Sequence, residues 1–123
     1  MASPNIVNVS SIVAGTIGFI PANTSANILI SNPGNSNSVI KINSLVITNV
    51  TSSIDQTTVS LNGSASGLGI SYRIAYNIYV PPNASLQLVD KGNFIYLLED
   101  KSILISNNTP NALEYVVVFE TIS

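Results

Sequence analysis

The chain is 123 residues long, one domain's length, with four basic and six acidic residues and neither histidine nor cysteine; disulfides, thiolate nucleophiles and imidazole bases or ligands are excluded. So low a charged fraction leaves no basic footprint for nucleic acid or an anionic membrane. The polar surface falls to 16 Asn, 18 Ser and 8 Thr beside 17 Ile and 12 Val, a mixture that points to strands and tight turns.

The N-terminal stretch MASPNIVNVSS lacks a basic segment followed by a continuous apolar run, so no secretory signal is expected. No run approaches the roughly 20 apolar residues that span a bilayer. Behind Pro4, Val7 and Val9 alternate with Ile6 and Asn8, without a charge. That pattern describes an edge strand with little to stop it pairing with another chain. Residues 1–12 are therefore expected to form an arm that pairs with a neighbouring subunit or the lattice through Ile6, Val7 and Val9, and residues 13–123 a single domain.

Period-two alternation continues along the chain and predicts strands over 6–18, 26–32, 38–51, 56–63, 69–79, 85–90, 94–98, 102–107 and 113–122. Turn clusters separate them: NPGNSN at 32–37, NGSASG at 62–67, DKGN at 90–93, EDK at 99–101 and NNTPN at 107–111. In SYRIAYNIYV the alternation puts Tyr72, Ile74, Tyr76 and Ile78 on a core face, and leaves Tyr79 beside Arg73 and Asn77 as the exposed aromatic. Gly92 and Asn93 suit the positive-φ positions of a hairpin between 85–90 and 94–98. In LEYVVVFETI, Tyr115, Val117 and Phe119 share one face of an interior strand. No segment shows helical spacing, so the expected fold is all-β, an antiparallel β-sandwich.

Two stretches sixty residues apart repeat each other. IPANTSANIL at 20–29 and VPPNASLQLV at 80–89 match at Pro21/Pro81, Asn23/Asn83 and Ser25/Ser85. Proline ends a ladder, and Asn and Ser cap the turn before the next strand. These are read as structural corners, one in each half of a jelly-roll-like sandwich of two Greek keys.

Catalytic chemistry finds no constellation. Glu114 and Glu120 lie about 20 Å apart on one strand, whereas a glycosidase pair needs about 5–10 Å. There is no G-x-S-x-G elbow. GSASGLG lacks the lysine and following helix of a phosphate loop, and reads as a flexible loop. Glu99-Asp100 is the only adjacent acidic pair, read as a solvated turn rather than a calcium site. Six Asn-x-Ser/Thr sequons, at Asn8, Asn23, Asn49, Asn62, Asn83 and Asn107, follow from the composition alone. The expectation is a protein without enzymatic activity or cofactor. The alternative is a carbohydrate- or receptor-binding module, which should present at least two aromatic rings on one open face.

From Ile20 to Thr121 the chain resembles small virion proteins of tailed bacteriophages, especially marine and cyanobacterial phages. The resemblance rests on IPANTSANILISN, KINSLVITNVTSS, YNIYVPPNASLQLVDKGNFIYLLEDKSILIS and EYVVVFETI. It implies a β-sandwich structural protein of the particle, assembled in the host cytoplasm. Capsid decoration is the first expectation, ahead of a neck, tail or fibre-base component. The implied partners are the major capsid protein or a neck or tail protein, in a homo-oligomer, with neither nucleic acid nor membrane. The resemblance carries no functional residues with it.

Overall fold

A computed structural model describes residues 11–123. The expected contacts of Ile6, Val7 and Val9 lie outside these residues. The described strands are β1 (Ile12–Phe19), β2 (Asn27–Asn32), β3 (Val39–Asn49), β4 (Asp55–Asn62), β5 (Ser71–Val80), β6 (Ser85–Val89), β7 (Ile95–Leu97), β8 (Lys101–Asn107) and β9 (Leu113–Ile122). The expected boundary between residues 12 and 13 falls just inside β1, which pairs with β9 along its whole length.

The strands form two antiparallel sheets. One runs β1-β9-β3-β6, with β7 also on β3; the other runs β2-β8-β4-β5. The chain changes sheet at every connection except β4–β5 and β6–β7, which gives the interlocked Greek keys of a jelly roll. Between the sheets the inward-facing positions of alternating strands form one apolar core. Ile47, Val59, Val80, Leu97, Leu113, Tyr115 and Val117 are wholly buried there. Each such side chain contributes about 1.5–3 kcal/mol relative to exposure. The exception in kind is the Tyr115 hydroxyl, a polar group in the core that needs a partner. It finds one in Thr57 Oγ1 at 2.6 Å, across the two sheets. Burial pushes this phenol up to about 12; the Thr57 bond opposes the shift, and the nearby Asp55 charge adds to it.

Two sequence expectations need correcting. Residues 85–89 and 95–97 do not form a hairpin, and neither Gly92 nor Asn93 takes the expected positive φ. The two strands lie end to end along β3, β6 against Leu45–Thr48 and β7 against Ile40–Ile42. Between them a 3-10 turn, Lys91–Asn93, is capped by Asp90, whose Oδ1 accepts from Gly92 N and Asn93 N at 2.9 Å. The turn interrupts a strand instead of reversing it, because β3 is long enough to pair both halves.

The second correction concerns β5. Its register against β4 shifts twice, between the Thr57 and Val59 pairs and again between Val59 and Ser60. The first shift takes in Asn77, held at φ 47° with its N–H donating to Thr58 Oγ1. Each bulge resets the alternation. Ala75 and Ile78 therefore reach the core, while Tyr72 and Tyr76 are 63% and 64% exposed instead of buried.

Candidate interaction surfaces

Both proline corners carry the chain from one sheet to the other, β1 to β2 and β5 to β6. They do so by different local means. At the first, Pro21 is buried and its carbonyl accepts from Asn111 N at 2.8 Å. Asn23 Oδ1 accepts from Ser25 N and from Asn27 Nδ2, both at 3.1 Å. At the second, Pro81, Asn83 and Ser85 are exposed. Here Asn83 supplies a left-handed residue, φ 54°, a conformation that Asn tolerates better than most residues. The Ser85 hydroxyl bonds Thr48 Oγ1 at 2.8 Å, and the Ala84 carbonyl accepts from Asn49 N.

Many of the remaining polar side chains serve the fold. The last residue of β2, β3, β4 and β8 is in each case a buried asparagine: Asn32, Asn49, Asn62 and Asn107. Each folds its amide into the following loop. Asn62, for example, donates to Gly69 O and Ser71 Oγ and accepts from Ser64 N and Gly69 N. The loop it closes was expected to be flexible. It is pinned as well by Ser102 Oγ to Ser64 O at 2.7 Å and by Ala65 N to Asp100 Oδ1 at 3.1 Å. Three sequon asparagines, Asn49, Asn62 and Asn107, thus have their amide nitrogens already engaged inside the fold.

Five of the six side-chain carboxylates also accept hydrogen bonds within the fold, although Glu99 Oε1 is buried without a partner among the described residues. Asp55 accepts from Gln56 N and Thr109 N, Asp90 caps its 3-10 turn, and Glu120 accepts from Asn43 Nδ2. Glu99 and Asp100 diverge, Glu99 to Asn37 N and Asp100 to Ala65 N, so they do not share a cation site. Among the described residues no group of three or more acidic side chains could hold a metal.

Among the described residues, two of the exposed surfaces combine features that suit a partner. The first is the outer face of the β1-β9-β3-β6 sheet. Register places Gly18, Val116, Val46 and Gln87 in one row across the four strands, and Thr16, Val118 and Ser44 in the next. Val116 and Val118 are exposed amid these small neutral neighbours, with Glu114 and Glu120 flanking them along β9. β1 and the corner that follows it carry no charge either, since the first charged residue in the chain is Lys41.

The second is the outer side of β5. Tyr79, the aromatic expected to be exposed, is 63% exposed opposite Gln56. Gln56 Oε1 accepts from Asn108 Nδ2 at 2.9 Å. Tyr76 shares this face, and its ring lies 5.6 Å from the Arg73 guanidinium carbon. Alternation alone hides this group. The only sign of it in the sequence is Asn77 inside a strand, a residue suited to the bulge that turns Tyr76 outward.

No protein-family model matches the chain, and no curated protein matches it significantly. The class that the fold defines is the antiparallel jelly-roll β-sandwich.

Proposed function

We propose that the chain is a non-enzymatic structural protein of a bacteriophage virion, most simply a capsid decoration protein docked on a symmetric protein lattice. One observation carries this reading beyond the sequence resemblance: exposed Val116 and Val118 sit among neutral side chains of β1, β3 and β6, between Glu114 and Glu120, on a sheet face continuous with the charge-free β1 edge. Small apolar and hydroxyl side chains on a rigid sheet suit burial against another protein, where affinity comes from apolar contact and neutral hydrogen bonds. A neck or tail position uses the same chemistry. The deciding experiment is quantitative mass spectrometry of purified particles. A copy number matching a capsid or tail symmetry supports the proposal, and absence from the particle ends it.

A second reading, a carbohydrate- or receptor-binding module, is favoured by Tyr76 and Tyr79 on one open face beside the Gln56–Asn108 amide pair. Flat rings and planar amides suit the apolar faces and hydroxyls of a sugar. Titration of neutral oligosaccharides against the tyrosine fluorescence, with Tyr76→Ala and Tyr79→Ala as controls, tests it. No saturable change at millimolar ligand removes it.

A further inference from the structure

The two sheets have four edges: β1 and the β6–β7 line in one, β2 and β5 in the other. An edge exposes unpaired N–H and C=O groups, and folds commonly blunt such edges with bulges, charges, prolines or breaks. Three of these edges are blunted. β2 is bulged between Ile28 and Ile30. β5 carries two register shifts and Arg73. The β6–β7 line follows two prolines and is broken by the turn that holds Lys91. β1 has none of these devices: its register with β9 runs from Ile12 to Phe19 without a shift, and it contains neither charge nor proline.

Reciprocal bonds between Ser11 and Ser123, both 2.9 Å, set the phase of the β1–β9 ladder. Odd-numbered residues of β1 bond to β9, so Ile12, Ala14, Thr16 and Gly18 direct their N–H and C=O groups away from it. Among the described residues no strand pairs with that side.

We propose that β1 pairs antiparallel with β1 of a second copy, about a two-fold axis at Gly15, to make one sheet continuous across a dimer. Of the possible axes, this one uses all four outward residues of each copy, setting Ala14 opposite Thr16 and Ile12 opposite Gly18 of the partner strand. The glycine pair on the axis brings no side chain to clash. Val13, 60% exposed in the single chain, comes opposite Ile17 of the other copy. With no charge in the strand, no like charges meet across the symmetric seam. The proposal deepens the structural-protein reading and rests on it.

The test is sedimentation of the full chain beside Thr16→Pro and Ala14→Lys. Proline at residue 16 removes an outward donor and leaves the β9 ladder intact, as edge positions allow. The wild type is expected at twice 12.9 kDa. Both variants should dimerise about thirtyfold more weakly, since each change acts twice across the axis. Amide exchange supplies a second readout: the Ala14, Thr16 and Gly18 amides should gain protection as protein concentration rises. A wild type that stays monomeric to about 1 mM overturns the seam, as do folded variants that dimerise like wild type. A monomer still found on purified particles sinks the seam alone; a dimer missing from them sinks the virion reading alone.

Discussion

Asn49 makes four side-chain hydrogen bonds, as many as Asn62, and its removal has a calculable consequence. It ends β3 with no solvent exposure. Its Nδ2 donates to Ser53 O at 2.8 Å and Val80 O at 2.9 Å, and its Oδ1 accepts from Thr51 N at 2.9 Å and Thr51 Oγ1 at 2.7 Å. One amide thus ties the β3–β4 loop to the end of β5, where the second corner begins. Asn49→Ala removes four bonds of about 0.5–1.5 kcal/mol net each and leaves main-chain groups short of partners. Because the loop can relax toward water, the expected loss is about 3 kcal/mol, or about 12 °C in Tm for a chain of this size. Urea denaturation followed by circular dichroism measures it, with the denaturant slope unchanged. Asn49→Asp keeps the acceptor and aims a carboxylate at two carbonyl oxygens, so the folded state favours the protonated acid. Its folded pKa then lies above the unfolded value, and its stability deficit should grow as pH rises past about 4. An alanine variant losing under about 1 kcal/mol, or an aspartate variant insensitive to pH, would refute the argument.

The two corners should fail in different ways. Asn23→Ala loses a side-chain acceptor and Asn83→Ala strains a left-handed residue, each costing about 1 kcal/mol; glycine should restore stability at 83 but not at 23. Thermal melts check this, and an alanine variant with an unchanged melt but no partner binding would make that corner a binding loop. Tyr115, with its folded pKa raised to about 12, favours the neutral phenol in the fold. That contribution is complete below about pH 10, where unfolded tyrosine begins to ionise, and is lost as pH rises toward 12, roughly 2–3 kcal/mol in all. The urea midpoint should fall across that window, and a flat profile to about pH 11.5 contradicts it.

Sandwich class and most strand positions were legible because β-branched residues alternate and Asn, Gly and Pro punctuate. β9 shows the method working: Tyr115, Val117 and Phe119 share the inward face because no bulge interrupts that strand on its β1 side. β5 shows its limit. Two bulges re-aim Tyr72 and Tyr76, and a bulge depends on a partner strand that alternation does not reveal. Gly92 and Asn93 mark a turn correctly, but whether a turn reverses a strand or merely breaks it depends on the length of β3 beside it. The buried asparagines were read as surface because composition treats all sixteen alike. Their position was the available signal, a strand's last residue before a loop of small residues.

A salt series tests most directly the proposal that a neutral surface holds this protein to a virion. Screening shortens the Debye length from about 10 Å at 0.1 M to about 3 Å at 1 M, which weakens exposed ion pairs but hardly touches apolar burial. Particles washed from about 0.05 M to 1 M NaCl should keep the protein band at constant ratio to the major capsid band. Loss of most of it by about 0.5 M would mean that its few charges carry the attachment, in contradiction to a neutral interface.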